Sequence, residues 1–283
     1  MKSLFVYIGI VVFFISLGNK DTQAQIVDGA YKRNNIYQKK PMPLPGVREA
    51  DVFWSKKIWR IVDLREKMNL TYYYPTQETE DRQNLVSVLL EGIQTGQITP
   101  YDARVESEFK TPMTYDQVTE AFGAESTTEE TIDFDTGERK EVLIQGEIRP
   151  NEVKQFMIKE EWYFDKKTSS LNVRIIGICP IREYTRENDP TGELQRQQVF
   201  WVYYPEARDL LATKAALNPY NPAQSMSYDD LFIKRMFNSY VVKESNLYNN
   251  RFITSYLSGR EAMLESKRIE TEIFNFEQDL WAY

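Results

Sequence analysis

Residues Val52 to Pro75 read VFWSKKIWRIVDLREKMNLTYYYP. If a helix starts at Asp51, Trp54, Ile58, Ile61 and Met68 fall on one face at steps of 4, 3 and 7. Lys56, Arg60, Asp63 and Lys67 then fall on another, and Asp63 stands one turn before Lys67, the favourable order for a helical ion pair. The spacing predicts an amphipathic helix, with an edge strand at Tyr72-Tyr73-Tyr74 behind it. Side chains alternate along a strand, so at least one of the three tyrosines must face outward. Aromatic and arginine side chains are enriched in interface cores, which makes Lys56, Arg60, Lys67, Tyr72, Tyr73 and Tyr74 the candidate interface residues. A basic stripe on an acidic chain attracts another acidic copy or an acidic partner. On this reading Trp54, Ile58 and Ile61 hold the helix to the core, and charge reversal at Arg60 weakens assembly while the subunit melts nearly as before. The alternative is a solvated helix face stabilised by local pairs.

C-terminal to this stretch, Gln83 to Gln94 has a helical pattern ended by Gly96 and Pro100, and Tyr101 to Phe109 reads as a strand. Thr114 caps a short helix to Phe122, with Asp116 in its first turn. Glu125 to Lys140 is acidic and turn-rich, as a surface loop is. Val153 to Phe164, Leu171 to Tyr184 and Leu194 to Tyr204 are three long strand patterns separated by turn residues, an antiparallel meander. Helices follow at Pro205 to Leu217 and Ser227 to Phe237, then a strand at Ser239 to Glu244. The last helix runs from Gly259 to about Asp279, with Ala262, Ile269, Ile273, Phe276 and Leu280 as its apolar stripe and Arg268 paired to Glu272 outside. Leu89-Leu90, Pro100-Tyr101 and Met113-Thr114-Tyr115-Asp116 recur in order as Leu210-Leu211, Pro219-Tyr220 and Met226-Ser227-Tyr228-Asp229. The expected fold class is α+β: an antiparallel β-meander with packed helices, an internal echo that two related halves would produce, and an extended N-terminal arm.

The N-terminus sets the compartment. Lys2 precedes an apolar run from Leu4 to Leu17, and Thr22-Gln23-Ala24 ends in a small residue, the layout of a secretory signal peptide. The run is shorter than the roughly 20 residues a membrane span needs. Cleavage is expected after Ala24, and no later run is comparably apolar. Pro41, Pro43 and Pro45 then favour an extended course through a segment that either stays disordered or orders on a partner. The expected organisation is 1–24 signal peptide, 25–50 extended arm, 51–148 N-terminal α+β region, 149–258 β-meander and helices, and 259–283 C-terminal helix. The full chain carries a net charge of −7, and losing the leader makes it one unit more negative. That balance argues against nucleic acid as a partner, since phosphate binding needs a basic footprint.

The chain has no histidine and one cysteine. Ser-His and Cys-His catalysis, histidine-ligated metals and thiolate metal sites are excluded together. Cys179 follows an apolar run and reads as a small buried hydrophobe. No phosphate loop or dinucleotide fingerprint is present. Glu129-Glu130 and Glu160-Glu161 offer carboxylates, but neighbours on a strand point to opposite faces and do not converge on one glycosidic bond. Asp133 to Glu138 opens like a calcium loop, yet its glycine comes a residue early and no bidentate Glu follows, so it reads as a turn. No catalytic, metal or cofactor residues are expected, and no cofactor.

Four blocks resemble the gliding-motility protein N family (GldN, also PorN) of the type IX secretion machinery of Bacteroidota. They are the signal peptide, WSKKIWRIVDLREKMN running to YYYP, LLEGIQTGQITPYD, and the closing FEQDLWAY. The most specific parts are Trp54-Ser55-Lys56 with Trp59-Arg60, Asp63 to Lys67, and Asp279-Leu280-Trp281. Ala282 departs from the acidic residue expected before the final aromatic. The resemblance implies a non-enzymatic periplasmic subunit. It implies assembly into a ring under the outer membrane with an outer-membrane lipoprotein (protein K, GldK/PorK-like), self-association within that ring, and contact with the periplasmic part of the inner-membrane motor protein (protein M, GldM/PorM-like). An exported, histidine-free, acidic chain fits such a role. The alternative class is a periplasmic carbohydrate-binding or carboxylate-dependent glycan-acting protein that uses its Tyr and Trp as sugar platforms.

Overall fold

The stretch expected to be a helix is the second strand of a sheet. The computed structural model describes residues 35–79, 82–104, 108–124, 127–132, 139–144, 146, 148–185, 192–218, 221 and 226–281, with backbone alone for 127–132, 139–144 and 281. The expected signal peptide, the start of the expected arm and the turns expected at 133–138 and 189–191 lie outside these residues.

Strand β1 is Val52–Asp63. Val52 to Lys57 alternates half-buried and exposed, but Ile58, Trp59, Arg60 and Val62 are all buried, so that half is covered on both faces and has no polar alternation. Its β-branched and aromatic content over Ile58 to Val62 suits a pleated strand better than a helix. The steps of 3 and 4 that suggested a helix are incidental, because Trp59 and Ile61 pack on one face of the sheet and Ile58, Arg60 and Val62 on the other. The three tyrosines also depart from expectation: Leu70–Tyr73 is a helical turn, α1. Tyr72 is buried, Tyr73 half-buried and Tyr74 exposed, so one does face outward.

Helix α2 (Leu85–Gln94), strand β2 (Pro100–Asp102) and helix α3 (Tyr115–Ala121) follow. Strand β2 is much shorter than the predicted strand over Tyr101 to Phe109. Thr114 caps α3 as expected, in a capping box with Gln117. Within and just beyond the expected loop, β3 (Thr127–Ile132) and β4 (Arg139–Ile144) pair as an antiparallel hairpin.

The meander is β5 (Val153–Asp165), β6 (Ser170–Thr185), and a last limb split at Val199 into β7 (Leu194–Gln198) and β8 (Phe200–Tyr203). Helix α4 (Tyr204–Thr213), strands β9 (Ala215–Ala216) and β10 (Met226–Ser227), helix α5 (Tyr228–Ile233), strand β11 (Tyr240–Glu244) and helix α6 (Gly259–Trp281) complete the chain. The main sheet runs β11-β1-β5-β6-β8-β2, with β7 also on β6, and these strand pairs are antiparallel. The class is α+β.

Helices α2, α3, α4 and α5 cover one face around Leu89, Phe156, Ile158, Ile178, Phe200 and Tyr228. The far face carries Trp59, Met157, Cys179, Ile181 and Trp201 under Phe109 and Phe252. Phe109, at φ 62, lays its ring over Gly177, where any Cβ would collide with it. The sequence echo is matched in part by local structure, its Pro219-Tyr220 pair lying outside the described residues. In one copy α2 leads to β2, Tyr101 bridges Pro112, and the chain enters the capped α3. In the other, α4 leads to β9, β10 pairs back on it, and Ser227 caps α5. Both Leu-Leu pairs line the same core.

Candidate interaction surface

Six side chains marked the candidate surface, and the strand geometry separates them. Arg60 is 9% exposed and points under α6. Its Nη1 donates to Glu270 Oε1 at 2.9 Å, and its Nε lies 3.3 Å from Glu160 without hydrogen-bond alignment. Glu160 is fully buried on β5, one position beyond the register partner of Trp59. It accepts from Arg235 Nη1 at 2.7 Å and Nη2 at 3.2 Å, and from Trp162 Nε1 at 3.1 Å. Removing water from a carboxylate is costly unless it is paired and hydrogen-bonded; two guanidinium groups and an indole meet that need here. Glu161 lies on the opposite face, opposite Lys57 and Arg174 in the register, so the two adjacent carboxylates do not converge.

Lys56 sits one pleat away, with Nζ 2.7 Å from Glu244 and 3.3 Å from Glu272. Arg268 continues the seam, reaching Glu265 at 2.7 Å and the predicted partner Glu272 at 3.0 Å. Its hydrogen bond to Glu265 holds that carboxyl below the usual carboxylate range. Apolar contacts complete the attachment of α6: Ile269 and Ile273 pack on Ile58 and Val241, and Phe276 stacks on Trp54 at 4.6 Å. Lys56 and Arg60 thus have acidic partners within their own chain, each with one on the neighbouring strands and one on the helix laid across them.

Lys67 is exposed, next to Met68. Tyr72 packs on Phe232 and Tyr228, and burial pushes its hydroxyl well above the usual tyrosine range. Tyr73 accepts from Lys154 Nζ at 2.6 Å. Lys67 and Tyr74 are the members of the set that stand open at the surface. Asp63 pairs with Arg65 instead of Lys67, and that hydrogen bond, aided by Gln155, holds its carboxyl well below the usual range.

The arm crosses its own subunit. Ile36 is buried, Lys39 pairs with Asp230, Arg208 Nη2 donates to Met42 O at 2.6 Å, and Arg174 donates to Pro45 O. Arg208 also pairs at 2.9 Å with the buried Asp229, which accepts from Tyr204 at 2.7 Å. Tyr37, Met42 and Leu44 of the arm remain exposed.

Cys179 is completely buried and its thiol is pushed far above the usual range by burial, so it is an inert core side chain. No cluster of metal-ligating side chains occurs among the described residues, and no helix among them is long and apolar enough to cross a membrane. The residues that sequence reasoning missed are Glu160, Arg235 and Glu270. A signal was available for Glu160, which alternates with the apolar Ile158 and Trp162 on one side of a strand pattern.

A family model described as gliding motility associated protein GldN matches residues 47–282, from the end of the arm through β1, the meander and α6. The chain belongs to that family. Membership makes it a component of the gliding-motility and type IX secretion machinery, within a family of structural subunits that work in a complex with other components. No curated protein matches the chain. The Trp54-Ser55-Lys56, Trp59-Arg60 and Asp279-Leu280 segments that carried the resemblance thus lie within the GldN match. Of their side chains, Trp54, Lys56 and Arg60 lie in the seam between β1 and α6.

Proposed function

We propose that this GldN-family chain is a non-catalytic periplasmic subunit of a ring beneath the outer membrane. It builds that ring with an outer-membrane lipoprotein and meets the periplasmic part of the inner-membrane motor protein. The observation that carries the reading is the family match over residues 47–282. The signal-peptide layout at residues 1–24 supports export. The mechanism is mechanical: a heterologous contact repeated between neighbours closes into a ring when its rotation closes. Lys67 and Tyr74, with Met68 beside them, are the members of the candidate set that a partner reaches without rearrangement.

Co-expression with the lipoprotein, mild detergent extraction and sedimentation test the reading. A very large particle containing both proteins is expected, with reduced yield for Lys67→Glu combined with Tyr74→Ser. Monomeric sedimentation without the lipoprotein overturns it, and glycan binding by that monomer would favour the carbohydrate-binding class.

A further inference from the structure

Helix α6 has a second pattern, on the flank beside the stripe that meets the sheet. Arg260, Met263, Lys267, Glu270, Phe274 and Glu277 follow one another at steps of 3, 4, 3, 4 and 3. That is the spacing of a helix–helix seam. Four of the six are open: Arg260 is exposed, Met263 is 73% and Phe274 58% exposed, and the Lys267 side chain is 74% exposed, while Glu270 and Glu277 are half-buried. The pattern is distinct from the stripe of Ile269 and Ile273 that holds the helix to the sheet. No ion pair of Arg260 or Glu277 occurs among the described residues.

The order of the six is basic, apolar, basic, acidic, apolar, acidic. Reversed, it is its own complement. Laid antiparallel on a second copy, Arg260 faces Glu277 of the other chain, Met263 faces Phe274, and Lys267 faces Glu270. Each contact occurs twice about an axis between Arg268 and Ile269. A parallel pairing would set like charges against each other. We propose that this face of α6 is a two-fold contact with a second copy of the same chain. Glu270 is held by a 2.9 Å hydrogen bond from Arg60 and pairs at 3.3 Å with Lys267 of its own helix, so at the axis the two copies bring together two such pairs in opposite order. The seam from Arg260 to Glu277 is about 26 Å long. Such a contact is isologous and ends at two copies, so it is separate from the heterologous contact that propagates a ring. It does not rest on the ring reading.

Sedimentation equilibrium of the purified protein, without lipoprotein, tests this. A monomer–dimer equilibrium with Kd on the order of 10 µM is expected for so small a seam. Phe274→Asp should weaken it by roughly 100-fold. Arg260→Glu and Glu277→Arg should each weaken it on the order of 10-fold, because each dimer contains the pair twice. An equimolar mixture of these two variants restores opposite charges at both positions and should associate as the wild type does. If Phe274→Asp also lowers the melting temperature, the charge-swap mixture decides. Wild-type protein that stays monomeric to about 300 µM overturns the inference. So does a mixture no tighter than its separate variants, since a different partner helix would not show that complementation.

Discussion

The two ends of the sheet are covered in opposite ways. Under α2, α4 and α5 the contact is apolar, with Leu89, Phe156, Ile158 and Ile178 at or near zero exposure. Under α6 a few isoleucines share the contact with a charged seam of Arg60, Glu160, Arg235, Glu270, Lys56 and Glu244. An apolar layer tolerates a change in volume better than a buried charge tolerates the loss of its partner. The seam therefore fixes where α6 lies, whereas the core supplies most of the area removed from water.

Breaking the seam from within should have the largest effect. Arg60→Glu places a third carboxylate between Glu160 and Glu270, and about 3 to 5 kcal/mol of stability should be lost in urea unfolding. This revises the expectation from sequence that the subunit would melt nearly as before. A loss under about 0.5 kcal/mol, the surface-substitution range, would show that the seam is solvated after all. In the core, Leu89→Ala should cost about 3 kcal/mol by the same measurement, set by the cavity left behind.

Trp54→Ala sharpens the comparison, because Trp54 is only half-buried and its main partner is Phe276. It should cost about 1 to 2 kcal/mol, less than a fully buried tryptophan, and should release protection of α6 amides before those of the core helices exchange. Acid acts next. Asp63 and Glu265 have folded-state values below their unfolded ones. Their contribution is present above about pH 4, the unfolded carboxylate range, and is lost as pH falls through the lower folded values. Melting temperature should therefore drop below that pH, and Asp63→Asn should flatten the drop. Arg268→Ala, which removes the half-exposed ends of the seam, should change stability by less than about 0.5 kcal/mol.

The long strands of the meander, the capped helices at Thr114 and Ser227, and the stripe of α6 were all legible, because each depends on residues a few positions apart. β1 was not. Ile58 to Val62 is apolar on both faces except for Arg60, and such a run has no period that separates a buried strand from a helix. The candidate surface inherited that error. Lys56 and Arg60 read as a basic stripe, and nothing local shows that Glu270 and Glu272 lie across them.

Composition by itself determined that this chain has no histidine chemistry and no multi-cysteine metal site of its own, since absent residues cannot be supplied by folding. Its blocks of aromatic and charged residues were enough to indicate the GldN family. Tertiary structure alone decided which charges are free. Glu160 has no exposure because Arg60, Arg235 and Trp162, from three other positions, converge on it. Pairing across a sheet and beneath a helix is set by register and packing, and those join residues as far apart as Arg60 and Glu270, whose sequence separation of 210 holds no local signal.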